Sequence, residues 1–285
     1  YGRSRGLGDV YKRQLLTDRS KVRDLIRRGA QLVTDSDRVD TFRELEVGEP
    51  VMTTEQALEE ASAVIDCTPA GNKMKETHYN DFVANTDIFV AQGSEFGFGK
   101  MYARGINDDA LIHGEDKFVQ VVSCNTHNIS VLIDTLALAD GKDNLRHGRF
   151  VCIRRSNDIS QDGSFLPSPE VGKHKDPQFG THHARDAYHL FKTLGLELDL
   201  FSSALKLNTQ YMHVIQFHMQ LEKPTTLDKV LERIKENDRI AVTHKHTANA
   251  VFSFGRDHGY FGRILNQTVI PTDTLAVIED GHEIV

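Results

Sequence analysis

The chain has 285 residues, of which 39% are hydrophobic and 26% are charged, and its formal net charge is -7. This acidic composition argues against a nucleic-acid-binding protein, and no apolar run approaches the roughly 20 residues that a membrane-spanning helix requires. Three cysteines are too few for a disulfide framework, so we expect a globular, cytoplasmic protein without nucleic-acid or membrane partners.

The first 14 residues differ from the rest of the chain because they are basic, glycine-rich and lack an apolar period. Residues 4–14 resemble one reading frame of a sequencing adapter, so we expect residues 1–14 to be non-native and natural sequence to begin near Leu15. Gly6, Leu7 and Gly8 imitate a dinucleotide-binding fingerprint. No strand precedes them and the third glycine is missing, so they are not expected to bind a nucleotide.

Helical and strand-like patterns alternate from Leu15 to Ser123. Helices are predicted at 18–29, which ends at a glycine, and at 53–62, which opens with a threonine cap. Apolar runs at 63–68, 87–93 and 118–123 have the form of strands buried on both faces of a parallel sheet. This alternation predicts an α/β domain with a doubly wound sheet.

The pattern changes after Cys124. The elements predicted there are a helix at 128–140, a strand at 150–155, half-exposed antiparallel strands at 202–209 and 213–221, and a capped amphipathic helix at 225–237. Residues 156–180 lack periodicity, and a loop of that length is usually functional or disordered. We therefore place a domain boundary near Cys124, with an antiparallel sheet and helices after it.

Cys124 lies where a predicted strand meets a predicted helix, with Ser123, Asn125 and Thr126 as candidate caps. Thiols at helix N-termini ionise more readily because the N–H groups and the helix dipole favour the thiolate. The ends of parallel strands are also where α/β sheets bind ligands. Cys124 is therefore the candidate nucleophile, whereas Cys67 and Cys152 lie in apolar patterns typical of small buried side chains.

The motifs "VIDCTPAG", "QGSE", "VVSCNT", "IRR" and "THHARD" occur in the order and approximate spacing found in archaeal-type (type II) glyceraldehyde-3-phosphate dehydrogenases. The resemblance runs from about Gly29 to the C-terminus. It implies a truncated Rossmann-type NAD(P)-binding domain over 15–123 and a mixed α+β catalytic domain over 124–285. It further implies a homotetrameric oxidoreductase of glycolysis or gluconeogenesis, acting on a phosphorylated aldehyde with NAD or NADP and inorganic phosphate.

The resemblance also implies roles for individual residues. Cys124 resembles the nucleophile, which forms a thiohemiacetal and then a thioester that phosphate releases as an acyl phosphate. Ser123 and Asn125 resemble positions beside the substrate. His182 and His183 resemble the pair that faces the substrate, and one of them, preferably His183, would act as the base. Gly93 and Arg154 resemble positions that contact the cofactor.

Two departures keep alternatives open. The family usually continues Cys-Asn-Thr with Thr-Gly, whereas this chain has His127 and Asn128. A related dehydrogenase that acts on another aldehyde therefore stays possible, as does a non-catalytic homologue.

The family's first strand and glycine-rich turn are expected to precede Leu15, and its last helix to follow Val285. We therefore expect this chain to bind cofactor poorly, and the choice between NAD and NADP stays open.

Fourteen histidines raise the possibility of a metal site. The candidates are His174, His182, His183, His189, His244 and His246. Their spacings do not match the compact ligand sets of zinc sites, so no metal is predicted.

Overall fold

The computed structural model describes residues 19–44, 46, 48–157, 166–209, 211–257 and 268–285, without the side chains of 253–257. The segment 1–14, predicted to be non-native, lies outside these ranges. The chain divides into two compact units, one up to Val90 and the other from Ala91. The functional boundary near Cys124 stays a prediction.

The first unit contains short helices and strands. Its elements are helix α1 at 19–27, β1 Val33–Thr34, α2 Val39–Glu44, β2 Met52–Thr53, α3 Thr54–Glu60, β3 Ala63–Asp66 and α4 Gly71–Thr77. Strand β4, Ile88–Gly93, begins in this unit and ends in the next. The strands β1 and β2 pair in parallel.

Local sequence signals explain the two helices predicted in this unit. The hydroxyl of Thr53 accepts a hydrogen bond from the Gln56 backbone N–H, and the Gln56 side chain accepts one from the Thr53 N–H. This reciprocal capping fixes the start of α3. The chain leaves α1 at Gly29, whose φ of +97° is a conformation that glycine adopts most easily.

Strand β3 corrects one prediction. The sequence predicted a strand buried on both faces, but Ala63 is exposed and Ile65 is 71% exposed. Ala63 and Ile65 lie on the same face of the strand, which is therefore exposed, whereas Asp66 on the other face is buried. Cys67 follows this strand and is exposed, so the prediction that Cys67 is buried was wrong.

The second unit contains most of the regular structure. Its elements are β5 Lys100–Tyr102, β6 Phe118–Val122, α5 Cys124–Leu132, β7 Leu145–Arg154, β8 Glu170–Val171, α6 His182–Lys192, β9 Leu200–Lys206, β10 Val214–Leu221, α7 Leu227–Glu236, β11 Ile240–Thr243, α8 Ala248–Asp257, β12 Thr268–Pro271, β13 Val277–Ile278 and β14 Glu283–Ile284. The predicted helix α7 is confirmed, with Thr226 as its N-cap.

Two kinds of strand pairing occur in this unit. The strands β5 and β6 are parallel, as are β11 and β12. A six-stranded sheet has the order β13-β14-β10-β7-β9-β8. The strand predicted at 213–221, β10, pairs antiparallel with β7. The strand predicted at 202–209 corresponds to β9, which is parallel to β7 and antiparallel to β8, so the sheet is mixed. Helix α6 lies between β7 and β9 in the chain and provides the long connection that parallel neighbours require.

Helix α5 packs its apolar face into the core against this sheet. Ile129, Ile133 and Leu136 are fully buried, as their helical spacing predicted. The helix changes to a π-helical turn at Ile133–Ala137. The resulting mixed α/β architecture, with parallel strand pairs and a mixed sheet, is consistent with the predicted fold class. None of the helices in the described ranges is long and apolar enough to cross a membrane.

Candidate active site

Cys124 is the first residue of α5 and follows β6 by one residue, as the sequence predicted. Ser123 is the N-cap: its hydroxyl accepts a 3.5 Å hydrogen bond from the Thr126 N–H and lies 2.9 Å from the Thr126 hydroxyl. The Cys124 side chain is exposed, so solvent and ligands can reach its sulfur. By contrast, Cys152 is buried, and burial raises the pKa of its thiol to about 12.

The sulfur of Cys124 contacts a histidine that the sequence analysis did not single out. The distance from Cys124 Sγ to His213 Nδ1 is 3.8 Å. The same ring nitrogen lies 2.9 Å from Asn125 Oδ1, and Asn125 Nδ2 lies 3.4 Å from His183 Nε2. A continuous series of polar contacts therefore joins Cys124, His213, Asn125 and His183.

The chemistry of the Asn125 amide assigns protons within this series. An amide NH₂ only donates, so His183 Nε2 must accept and that imidazole must be neutral. An amide oxygen only accepts, so His213 Nδ1 must donate to Asn125 Oδ1. The same ring nitrogen is in contact with the Cys124 sulfur. Asn125 therefore orients the His213 ring beside Cys124.

His182 and His183 lie in the first turn of α6. The hydroxyl groups of Thr181 and Ser202 are 2.6 Å apart at the start of this helix, and the Ser202 hydroxyl accepts from the Ala184 N–H. Gly180 enters this turn with a φ of +73°, and a Cβ there would overlap the carbonyl oxygen of Ser202. A glycine at 180 therefore lets the chain approach β9 closely enough to place both histidines.

Burial keeps both histidines neutral. It is the main cause that lowers the pKa of His182 to about 4, and the cation of Arg154 adds to the effect. Burial also lowers the pKa of His183 strongly, with a further contribution from His182, whose ring centre is 3.9 Å away. This agrees with the neutral His183 that the Asn125 hydrogen bond requires. The assignment of the base to His182 or His183 stays a prediction, and the histidine whose ring contacts Cys124 Sγ is His213.

The two predicted cofactor positions lie in different environments. Gly93 is the last residue of β4 and has a φ of +84°, with open space where a Cβ would point. Its carbonyl oxygen accepts a 3.1 Å hydrogen bond from Gln120 Nε2. Arg154 ends β7 and is close enough to lower the pKa values of His182 and His183. The structure thus places Arg154 beside the histidine pair.

A cavity of about 290 Å³ opens beside Cys124. Asn125, Asn128, Arg155 and His213 contribute polar groups to its wall. Side chains from β10, α8 and β12 supply most of the remaining lining. A largely apolar cavity with a few convergent polar groups is the usual form of a small-molecule site.

The two residues that depart from the family pattern have different surroundings. Asn128 lines the cavity. His127 does not line it and is half-buried; burial, followed by the nearby Arg239 cation, lowers the pKa of its imidazole. Arg239 donates to Asp134 at 2.8 Å and therefore connects the start of β11 to the π-helical turn. Asn128 is thus the departure that can contact a ligand in this cavity.

His213 was missed because no local pattern marks it. It directly precedes β10 and lies 89 residues from Cys124 in the chain. The alternation of exposed and buried residues in β10 could have placed its side chain on the inward face, but not opposite Cys124. Within the described residues, no group of three histidine, cysteine, aspartate or glutamate side chains could hold a metal ion.

Comparison with known proteins identifies several distant relatives, although no family model matches the chain. The chain is similar to proteins named glyceraldehyde-3-phosphate dehydrogenase from Pyrobaculum islandicum (25% identical over 224 residues), Methanococcoides burtonii (29% over 216) and Methanocaldococcus jannaschii (25% over 268). These alignments cover 75%, 75% and 87% of this chain and 59%, 60% and 71% of the relatives. The chain thus spans about three fifths of the length of the first two. These matches support a relationship to the archaeal glyceraldehyde-3-phosphate dehydrogenases.

Proposed function

We propose that this chain carries the catalytic centre of a nicotinamide-dependent aldehyde dehydrogenase that works through a thioester on Cys124. The observation that carries the proposal is the 3.8 Å contact between Cys124 Sγ and His213 Nδ1 at the wall of the cavity. A thiol beside an imidazole, at a helix N-terminus and open to a ligand cavity, is the arrangement that activates a cysteine nucleophile.

The proton transfers follow from this contact. In the proposed resting state His213 Nδ1 carries the proton and Cys124 is the thiolate, which forms a C–S bond to the aldehyde carbon while the carbonyl electron pair moves to oxygen. His213 gives its proton to that oxygen, which gives a thiohemiacetal, and it removes the proton again as the carbon loses a hydride to a hydride acceptor and the thioester forms. Inorganic phosphate then attacks the thioester carbon, so that an acyl phosphate leaves and the thiolate returns. Asn125 acts as a positioning residue throughout, and His183 holds the Asn125 amide.

The oxidation requires a hydride acceptor, and the residues at the predicted cofactor positions fit one. Gly93 ends a strand with a positive φ and an open face, which allows a ligand to approach the backbone closely. Arg154 offers a guanidinium that can pair with an anionic group. A bound NAD or NADP would supply the hydride acceptor.

Glyceraldehyde 3-phosphate is the first substrate to test because it is named for the relatives. Arg155 places a cation in the cavity wall, which suits an anionic substrate. Another aldehyde processed by the same chemistry is the second candidate, since Asn128 lines the cavity where the family has a different residue. A reactive Cys124 would argue against the third alternative, a non-catalytic homologue.

Trapping the thioester tests the proposal. The chain is incubated with glyceraldehyde 3-phosphate and NAD or NADP in the absence of phosphate, so that the acyl group accumulates, and peptides are mapped by mass spectrometry. We expect the acyl mass on the peptide that contains Cys124, its loss when phosphate is added, and no adduct in Cys124→Ser. Cys67→Ser is the matched control and should keep the adduct. An adduct on Cys67, or no adduct with either cofactor at a concentration that saturates the chain, would contradict the proposal.

A further inference from the structure

The cavity extends from the contact between Cys124 and His213 along helix α5. Cys124, Asn128 and Leu132 all line it, and their spacing of four residues places them on one face of the helix. Eight residues of α-helix rise about 12 Å. The cavity therefore follows α5 from its first residue to its last.

Strand β10 forms a second wall with the same direction. Ile215 and Phe217 lie on one face of the strand, and His213, which directly precedes the strand, continues their alternation; all three line the cavity. The four steps from His213 to Phe217 cover about 13 Å at the usual rise of a strand. Cys124 begins the first wall and His213 begins the second. Because these two residues are in contact, both walls extend from that contact.

The two ends of the cavity differ in polarity. Near Cys124 the wall contains Asn125, His213 and Arg155. The side chains that α5 and β10 contribute farthest from Cys124 are Leu132 and Phe217, which are 3% and 8% exposed. Val251, Ile270 and Leu275 are further buried apolar side chains in the lining. The lining also contains the polar residues Thr243, Lys245, His246, Thr247, Thr268 and Thr274. The buried apolar surface formed by Leu132 and Phe217 favours a hydrocarbon group at this end of the cavity.

We propose that the site takes aldehydes that carry an extended apolar body, with the carbonyl at Cys124 and the hydrocarbon along α5 and β10. This inference rests on the proposed thioester chemistry. An extended chain advances about 1.2 Å per bond, so a three-carbon aldehyde reaches only about 4 Å from the sulfur. The same estimate gives room for a chain of six to eight carbons before Leu132.

Esters of p-nitrophenol test this without any cofactor. The Cys124 thiolate attacks the ester carbonyl, p-nitrophenolate leaves and is measured, and the acyl group stays on sulfur until water removes it. The hexanoate and acetate esters are compared, each relative to its rate with free N-acetylcysteine. Each methylene that leaves water should raise the rate about fourfold, so we expect at least a tenfold preference for hexanoate.

Two substitutions on α8 test whether the preference for hexanoate over acetate depends on this cavity. Ala248 is half-buried and lines the cavity, whereas Asn249 is exposed and does not. Ala248→Trp should reduce the hexanoate preference to twofold or less, and Asn249→Trp should keep it. Circular dichroism of both variants checks that they fold.

The outcomes separate this inference from the proposed function. If Cys124→Ser reacts with the esters as fast as the wild type, the thiol chemistry fails and the inference fails with it. If Cys124 is acylated but hexanoate and acetate react within twofold of each other, the apolar substrate class is wrong while the thiol chemistry stands. A preference that survives Ala248→Trp would also overturn the assignment of this cavity.

Discussion

Asn125 decides how the polar groups around Cys124 are arranged. Its side chain is buried, its oxygen accepts from His213 and its nitrogen donates to His183. Each end of the amide therefore has a partner of the correct type, which fixes its orientation. Because His183 is kept neutral by burial, it can serve as the acceptor that holds Asn125.

His213 is the residue whose removal should matter most besides Cys124 itself. We expect His213→Asn to lower the acylation rate of Cys124 by p-nitrophenyl acetate about 100-fold at neutral pH, because the thiol loses its proton acceptor. His218→Asn is the control, since His218 lies on the opposite face of β10 and pairs with Glu283. Equal acylation rates in the two variants would show that His213 takes no part in the reaction.

At the scale of residues, the sequence predicted the position of Cys124 at the start of a helix but not its contact with His213. A thiol between a strand pattern and a capped helix is a local signal, and the structure places Cys124 at that junction. The contact with His213 depends on the register of β7 with β10 and on how α5 packs, which no local pattern determines. Residues on separate elements come together only through tertiary packing.

At the scale of elements, the first turn of α5 positions the nucleophile. The N-cap hydroxyl of Ser123 satisfies the Thr126 N–H, which would otherwise lack a partner within the helix. A stable first turn keeps Cys124 beside His213 and keeps the helix dipole directed at the sulfur. Loss of the cap should therefore affect stability and reactivity together.

A comparison of two helix caps separates these effects. Ser123→Ala in α5 and Thr226→Ala in α7 should each lower the free energy of unfolding by about 1 kcal/mol, measured by urea denaturation. Only Ser123→Ala should also slow the alkylation of Cys124, because Thr226 caps a different helix. If Thr226→Ala slows alkylation to the same extent, global stability rather than the first turn of α5 controls the thiol.

Local signals predicted several helices and strands but not the sheet pairings. The caps of α3 and α7 are short-range patterns, and both helices begin at the expected threonines. The exposure of β3 and the parallel pairing of β7 with β9 depend on which strands become neighbours. A short apolar run shows that a strand is present, but not whether both of its faces are covered.

At the scale of the whole molecule, the buried histidines connect stability to pH. His182 has a pKa of about 4 in the folded chain, against an ordinary value of 6.5. Between these values the unfolded chain binds more protons, so the free energy of unfolding falls as the pH drops from 6.5 towards 4. His183 acts in the same direction because its pKa is also lowered.

Substitution of His182 should reduce this pH dependence. We expect the wild type to lose up to about 2 kcal/mol through His182 between pH 6.5 and pH 5, with partial solvent access reducing this value. His182→Gln should flatten the dependence, while His244→Gln, at an exposed position, should leave it unchanged. Urea denaturation across this pH range measures the effect, and identical pH profiles for His182→Gln and the wild type would refute it.

The three cysteines provide the most direct measurement of the central claim, that Cys124 is an activated nucleophile. Cys124 and Cys67 are both exposed, whereas Cys152 is buried, so exposure alone would make the first two react alike. The chain is treated with iodoacetamide at neutral pH, and the alkylation rate of each cysteine is followed by peptide mass spectrometry. The account predicts that Cys124 reacts at least tenfold faster than Cys67, and that His213→Asn removes the difference. Equal rates for Cys124 and Cys67 in the wild type would contradict it.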